Sequence, residues 1–392
     1  MRAPLALLAC LVVVASGCTD REELAVSVTP RTGLVDEPFD VRVTGAPPSG
    51  SVTITVTEES ESGGTWSLTR EARADDAGGV LLPDEYLLAE LRPGSGAPGD
   101  DSLKAPFSLE VTVRAGEETA ETTVGRVFEP DGVEITELRV AADGFRARWW
   151  VPGEGARRMA ILLLGGSEGG LPSGLKAGVL AGHGYHVLQL AYFSEEGLPD
   201  ELLRIPLEYV RTALDWLHMR DEIDGGPVVV QGVSRGGELA LQLGSTYPEL
   251  VHAVVAYVPS VSVFPAIVDQ SQPAWTLRGR GVPSELIPVE RIRGPVFLVG
   301  GRADALWPSG PSVDLIAEQL RQDGRRDVVA LNYDDAGHGV GRAVPNTYTP
   351  TVVTTRYGEL SGGGSPEADE AAREDSWPKL LRFLDDLDRG SP

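Results

Sequence analysis

Ten residues, Val228 to Gly237, constrain this chain more than any others. The run Val228-Val229-Val230-Gln231 is β-forming, Gly232-Val233-Ser234-Arg235-Gly236-Gly237 interrupts it, and Glu238 to Leu243 are mostly helix formers. A strand that turns into a helix this abruptly leaves room only for very small side chains two positions either side of the serine, and Gly232 and Gly236 stand there. The turn lifts the Ser234 hydroxyl beyond the sheet, with the helix N-terminus behind it supplying free N–H groups and partial positive charge. Ser234 is therefore the candidate nucleophile, and the Arg235 backbone N–H a candidate oxyanion donor.

The texture around this motif gives its context. From about residue 131, β-rich runs alternate with helical periods: Met159 to Leu164, Tyr185 to Ala191, Pro227 to Gln231, Ala253 to Val258, Pro295 to Val299 and Val328 to Asn332. Leu203, Leu207, Val210, Leu214 and Leu217 follow a 3,4 spacing that predicts one buried helix face. Strands alternating with amphipathic helices predict an α/β domain over 131–392, a mostly parallel sheet with helices on both faces, entered through a hairpin turning at Asp143-Gly144. Residues 19–130 read differently. Short alternating runs at Phe39 to Val43, Ser51 to Val56, Thr65 to Leu68, Phe107 to Val113 and Glu121 to Phe128 predict a small all-β sandwich, with Arg92 to Lys104 a long loop.

A serine hydroxyl needs a histidine to take its proton and a carboxylate to hold that histidine, in the chain order Ser, acid, His. His183, His186 and His218 precede Ser234 and His252 opens the next strand, which leaves His338, in the small-residue loop Asp334-Asp335-Ala336-Gly337-His338-Gly339. Asp304 follows the strand ending at Val299, where the acid is expected; Asp334 and Asp335 are its rivals. The second oxyanion donor is expected from Gly165-Gly166-Ser167-Glu168-Gly169-Gly170, with the Ser167 N–H chosen. Glu168 should point outwards or be paired, since a carboxylate facing the oxyanion opposes catalysis. This chemistry needs no metal and no organic cofactor.

The N-terminus reads as an export signal over residues 1–18: Met1-Arg2, an uncharged, mostly apolar run from Ala3 to Ala15, then Ser16-Gly17-Cys18. The run is too short to span a bilayer, and its end resembles a lipobox that places a lipid anchor on Cys18. A lipoprotein of the outer face of a bacterial membrane is the expectation. The other cysteine, Cys10, lies inside the signal, so the mature chain has no internal disulfide. The net charge of −24 argues against nucleic acid as a partner. Locally, residues 270–302 carry Arg278, Arg280, Arg291, Arg293 and Arg302 against Glu285 and Glu290, so Arg278 and Arg280 are candidates for binding an anionic acyl donor.

The residues resemble one family. Gly232-Val233-Ser234-Arg235-Gly236-Gly237-Glu238-Leu239, Leu180-Ala181-Gly182-His183-Gly184-Tyr185 leading to Leu190-Ala191-Tyr192, Gly197-Leu198-Pro199 with Leu207-Glu208-Tyr209, and Ala336-Gly337-His338 are similar to the acyl-CoA thioesterases and bile acid-CoA:amino acid N-acyltransferases. The resemblance implies an immunoglobulin-like domain before an α/β-hydrolase domain, and a triad at Ser234, Asp304 and His338. Acyltransferase members characteristically carry a cysteine nucleophile, so Ser234 favours water as acyl acceptor. The expected function is hydrolysis of a small-molecule acyl ester or thioester. Alternatives on the same scaffold are a dienelactone-hydrolase-like esterase or a serine peptidase, and in another class a non-catalytic, ligand-binding surface lipoprotein.

Overall fold

The computed structural model describes residues 22–59, 65–82, 90–93, 107–153, 155–341, 344–345, 351–355 and 358–390. The export segment with Cys18, and Arg92 to Lys104 apart from its first two residues, lie outside them.

The N-terminal module contains β1 (Ala25–Thr29), β2 (Thr32–Leu34), β3 (Asp40–Thr44), β4 (Ser51–Glu59), β5 (Thr65–Arg73), β6 (Val80–Leu82), β7 (Arg92–Pro93), β8 (Phe107–Ala115) and β9 (Glu118–Val127). They form a sheet ordered β1-β3-β6 and another ordered β2-β9-β8-β4-β5-β7. Alternate residues of each point into a shared core, Val41 and Val43 from one sheet, Val52, Ile54, Val56, Val111 and Val113 from the other. Two expectations need correcting here. The short strands β1, β2 and β6 were not foreseen, because runs of three to five residues hardly show an alternation. Arg92–Pro93 pairs with Trp66 and Ser67 at the sheet's edge rather than looping, since an edge strand can dispense with the proline's missing N–H.

The second module runs through β10 (Glu134–Leu138), α1 (Val140–Asp143), β11 (Arg146–Val151), β12 (Ala160–Leu164), α2 (Gly174–Gly182), β13 (His186–Ala191), β14 (Ile205–Pro206), α3 (Leu207–His218) and β15 (Val228–Val233). It continues through α4 (Arg235–Thr246), β16 (Ala253–Tyr257), β17 (Trp275–Leu277), β18 (Arg280–Gly281), β19 (Val296–Gly301), α5 (Ser309–Gln322), β20 (Val328–Tyr333), β21 (Val352–Thr355), β22 (Gly358–Ser361) and α6 (Pro366–Arg389). The eight-stranded sheet is ordered β10-β11-β13-β12-β15-β16-β19-β20, antiparallel at β10, β11 and β13 and parallel from β13 onward. The hairpin between β10 and β11 is closed by one helical turn, α1, with Gly144 left-handed at φ 84°, rather than by a tight turn alone. Helix α3 starts at Leu207, not Leu203, because Pro206 precedes it and Ile205–Pro206 pairs with β17.

Alternation along the strands sorts the helices. Leu162, Leu164, Val228, Val230, Val254 and Ala256 face α3, α4 and α5, whose Val210, Leu214, Leu239, Leu243 and Ile316 join them in one core. Ile161, Leu163, Val229, Val255 and Phe297 face α2 and α6, with Val179, Leu180, Trp377, Leu380 and Leu384. The N-terminal sandwich belongs to this second core. It reaches α2 closely: a methyl on Gly178 would lie 2.6 Å from Phe128 O, and one on Gly182 2.7 Å from a Leu34 methyl.

Candidate active site

The strand order decides where the site falls. From β12 the chain crosses through α2 to β13 on one side, then through α3 to β15 on the other, so the loops after β12 and β15 part in opposite directions. In open α/β sheets such a switch point leaves a crevice at the carboxyl ends of the strands. Leu164 is in register with Gly232, which brings the loop starting at Gly165 beside Ser234.

Ser234 has φ 56° and ψ −121°, a sparsely populated conformation for a residue with a side chain, and its N–H is held by Tyr257 O at 3.0 Å. The glycines are obligatory. A methyl on Gly232 would sit 2.0 Å from Gly236 O, and one on Gly236 2.2 Å from Gly165 O. Helix α4 begins at the next residue. The Arg235 side chain is 3% exposed and turns inward, donating to Glu238 Oε2 at 2.8 Å and to Phe264 O at 3.0 Å, so its backbone N–H is what remains for the crevice.

His338 opens a short 3-10 turn after β20 and is 4% exposed. Its Nδ1 lies 2.8 Å from Asp304 Oδ2, which also accepts the Ser309 hydroxyl at 2.6 Å. Oδ1 accepts the N–H groups of Leu306 at 2.9 Å and Trp307 at 3.4 Å, so a fully buried carboxylate meets four donors. The structure thus pairs His338 with Asp304. Asp334 instead bonds Arg302 at 3.1 Å and is 85% exposed at its side chain, and Asp335 is exposed. Three residues past His338, Gly341 packs against the strand that delivers Ser234: a methyl there would lie 2.6 Å from a Val233 methyl. Trp307 covers the imidazole edge-on at 5.9 Å and meets Phe264 at 5.3 Å, making an aromatic wall beside the histidine.

The loop Gly165 to Gly170 is shaped by two residues. Tyr192 donates toward Gly165 O at 2.6 Å and lies 2.9 Å from Gly166 O, turning both carbonyls toward itself. In trans peptides the N–H opposes the C=O, so the Gly166 and Ser167 N–H groups point away from Tyr192. Glu168 is exposed but folds back, its Oε1 accepting the Gly166 N–H at 2.8 Å. A methyl on Gly166 would touch both Glu168 Oε2 at 2.8 Å and Ser234 Cβ at 3.1 Å, so the carboxylate stands close to the serine. Burial pushes the Tyr192 hydroxyl far above its ordinary range, reinforced by the Glu168 charge, which keeps it a donor.

Sequence reasoning gave Tyr192 and Glu238 no role of their own and did not single out Trp275, Ser309 or Trp307. Glu238 is fully buried and accepts Trp275 Nε1 at 2.6 Å as well as Arg235; burial pushes its carboxyl up to about 7 against the pull of Arg235. This knot ties α4 to the segment carrying Phe264 and Trp275. Arg278 and Arg280 lie exposed on the hairpin of β17 and β18, where the Arg278 N–H bonds Glu208 Oε1 at 2.6 Å. No contact among the described residues joins either arginine to Ser234, Asp304 or His338. Arg302 and Arg291, grouped with them by sequence, are paired locally with Asp314 and Glu290. No group of three His, Cys, Asp or Glu side chains fit to hold a metal occurs among the described residues.

A parallel sheet with antiparallel first strands, a serine on a strained strand-to-helix turn at its switch point and a buried Asp–His pair beyond later strands define an α/β hydrolase. Residues 205–278 and 266–387 match the family described as BAAT / Acyl-CoA thioester hydrolase C terminal. That match places the family's C-terminal domain in the second module, and the chain is similar along most of its length to acyl-CoA thioesterases and acyl-CoA:amino acid N-acyltransferases. It is 27% identical to human acyl-coenzyme A thioesterase 6 over 89% of this chain and 93% of that protein. It is likewise 27% identical to rat acyl-coenzyme A amino acid N-acyltransferase 2 over 92% of this chain and 97% of that one. Among solved structures, an α/β hydrolase from a Medee basin deep-sea metagenome library aligns at TM-score 0.47 and 17% identity, covering 66% of this chain and 100% of that one.

Proposed function

We propose that the protein hydrolyses an acyl thioester or ester through an acyl-enzyme on Ser234. The observation that carries this reading is the buried Asp304–His338 pair, 2.8 Å apart, on a turn packed against the strand that ends in Ser234. Ser234 Oγ attacks the acyl carbonyl carbon while His338 Nε2 takes its proton. Asp304, bonded to Nδ1, fixes the tautomer and stabilises the imidazolium. The N–H groups of Arg235 and Ser167 stabilise the oxyanion. Collapse of the intermediate expels a thiolate or alkoxide, which His338 protonates, and water then repeats the sequence to release the acid.

The relatives' names support a thioester donor, and a serine rather than a cysteine nucleophile supports water as acceptor. Arg278 and Arg280 are proposed to receive a negatively charged leaving group; reversing both charges raises KM for anionic donors and leaves neutral esters unaffected. Cys18 is proposed as the site of a lipid that holds the enzyme at the outer face of a bacterial membrane. The sandwich over residues 19–130 is proposed to be immunoglobulin-like.

The test is covalent labelling by a fluorophosphonate, read by intact mass, in the parent protein, Ser234→Ala and His338→Ala. One adduct that vanishes in the first variant and forms far more slowly in the second is expected. No labelling of folded parent protein refutes the reading. Comparing kcat/KM for acyl thioesters, p-nitrophenyl esters and peptide amides then ranks thioesterase, esterase and peptidase.

A further inference from the structure

The turn that carries His338 is gripped by buried charged side chains from two helices. Asp369 Oδ1 of α6 accepts the Gly337 N–H at 2.6 Å, Arg373 of α6 donates to Gly339 O at 3.0 Å, and Lys176 of α2 donates to Gly341 O at 2.9 Å. Every second residue from 337 to 341 is thus held by a charged group, and the three groups are 0%, 2% and 5% exposed. Asp369 and Arg373 are four apart, so one face of α6 presents both. Asp369 Oδ2 has no partner among the described residues and lies where a methyl on Gly339 would be, at 2.1 Å, which forces glycine there. Arg373 is paired with Glu370, its Nε 2.7 Å from the carboxylate. Lys176 meets no carboxylate within ion-pair distance among the described residues; its ammonium lies 5.0 Å from the centre of the Tyr257 ring.

Holding a backbone turn does not require this. Neutral side chains also bond peptide groups, without the cost of burying a charge, and apolar groups of similar size in place of buried charges often leave a protein as stable or more so. What charges add is a field, and the turn they hold carries the imidazole, which interacts electrostatically with Asp369. Burial drives Lys176 down to about 7, helped by Arg373 and opposed by Glu168. Burial raises Asp369, opposed by the Gly337 N–H, Arg373 and His338.

We propose that Asp369, Arg373 and Lys176 are positioning residues for the reaction, a cradle that fixes the His338 turn and sets the electrostatic field around its ring. The proposal rests on His338 being the base. The charged groups facing the turn are Asp304 after β19, Asp369, Glu370 and Arg373 on α6, and Lys176 on α2, with Glu168 beyond the lysine. Loss of the Asp369 charge makes the imidazolium harder to form; loss of the Lys176 charge makes it easier.

The experiment is the pH profile of kcat/KM on a p-nitrophenyl ester for Lys176→Met and Asp369→Asn, with active sites counted by fluorophosphonate so that unfolded protein drops out. Lys176→Met should move the acid limb up, and Asp369→Asn down, each by about half a unit. In Lys176→Met, kcat should fall about tenfold with KM nearly unchanged while Tm stays level or rises. Profiles that superimpose on the parent's, whatever happens to Tm, overturn the cradle; if Asp369→Asn does not fold, the direction of the Lys176→Met limb decides alone. A His338→Ala protein that keeps its activity instead refutes the underlying assignment of the base.

Discussion

Two buried carboxylates in this molecule each accept a tryptophan N–H, and they are set in opposite surroundings. Glu238, one turn into the helix behind Ser234, takes Trp275 Nε1 at 2.6 Å, Arg235 at 2.8 Å, the Phe264 N–H at 3.2 Å and Gln242 at 3.3 Å. Asp36, in the N-terminal sandwich, takes Trp377 Nε1 at 2.7 Å and His183 Nε2 at 2.6 Å, both through Oδ2, and its Oδ1 has no partner among the described residues. The first knot lies wholly within the second module and contains a guanidinium that stays charged at any working pH. The second spans both modules and depends on a histidine. The carboxylate behind Ser234 is saturated with donors, whereas the one between the modules has one oxygen without a partner among the described residues.

The sharpest way to break this comparison is Glu238→Ala. It strands a buried guanidinium, and removing one member of a buried ion pair costs about 3–5 kcal/mol. Urea unfolding should show a loss of that size; less than about 1 kcal/mol would mean that apolar packing, not the knot, holds the segment around Phe264. Trp377→Phe removes the indole N–H from Asp36 and leaves a smaller ring in a buried site, with an expected loss of about 1–3 kcal/mol in the same assay. An equal or larger loss than for Glu238→Ala would invert the ranking of the two knots.

The smallest effect is a matter of pH. Burial opposes the charge on His183, but the hydrogen bond and charge of Asp36, with Glu37, raise its pKa above the ordinary value of 6.5. A folded value above the unfolded one means that the stabilisation is fully present below about 6.5 and is lost as pH rises through the folded value. Tm should therefore decline with pH in that window, and His183→Asn should flatten this part of the curve. Glu238, raised to about 7 from 4.5, contributes a decline at lower pH, from about 4.5 up to 7, which His183→Asn leaves in place. A curve unchanged by His183→Asn would show that Asp36 grips the second module through Trp377 alone.

Legibility in the sequence followed the same division. Apolar runs located β12, β13, β15, β16 and β19 within a residue or two, because a strand buried on both faces has no other way to be written, and the half-buried edge strand β20 kept enough β-formers to be read as well. The tight packing of Gly232 and Gly236 and the pairing of Asp304 with His338 were readable because steric and topological limits leave few alternatives. Lys176, Glu238, Asp369 and Arg373 were not. A charge in a helix reads as a solvated face unless what it holds is known, and besides the local pairs of Glu238 with Arg235 and Arg373 with Glu370 these four reach groups 165, 37, 32 and 34 positions away. The last helix shows both cases: Trp377, Leu380 and Leu384 recur at helical spacing and are buried, while Asp369, Glu370, Arg373 and Ser376 are buried with no apolar pattern to mark them. Glu168 was expected to turn outwards or pair, and it does the second by folding back onto Gly166 beside the serine.

Helix α6 gives the molecule a direction in time. Trp377 reaches Asp36 across 341 positions of chain, and the same helix supplies Asp369 and Arg373 to the histidine turn. A polypeptide emerging from its N-terminus has already made the turn at Ser234 and the eight-stranded sheet before α6 exists. Neither the seam between modules nor the seat of the histidine can close until this helix has been made, so a chain cut short before Pro366 would lack both.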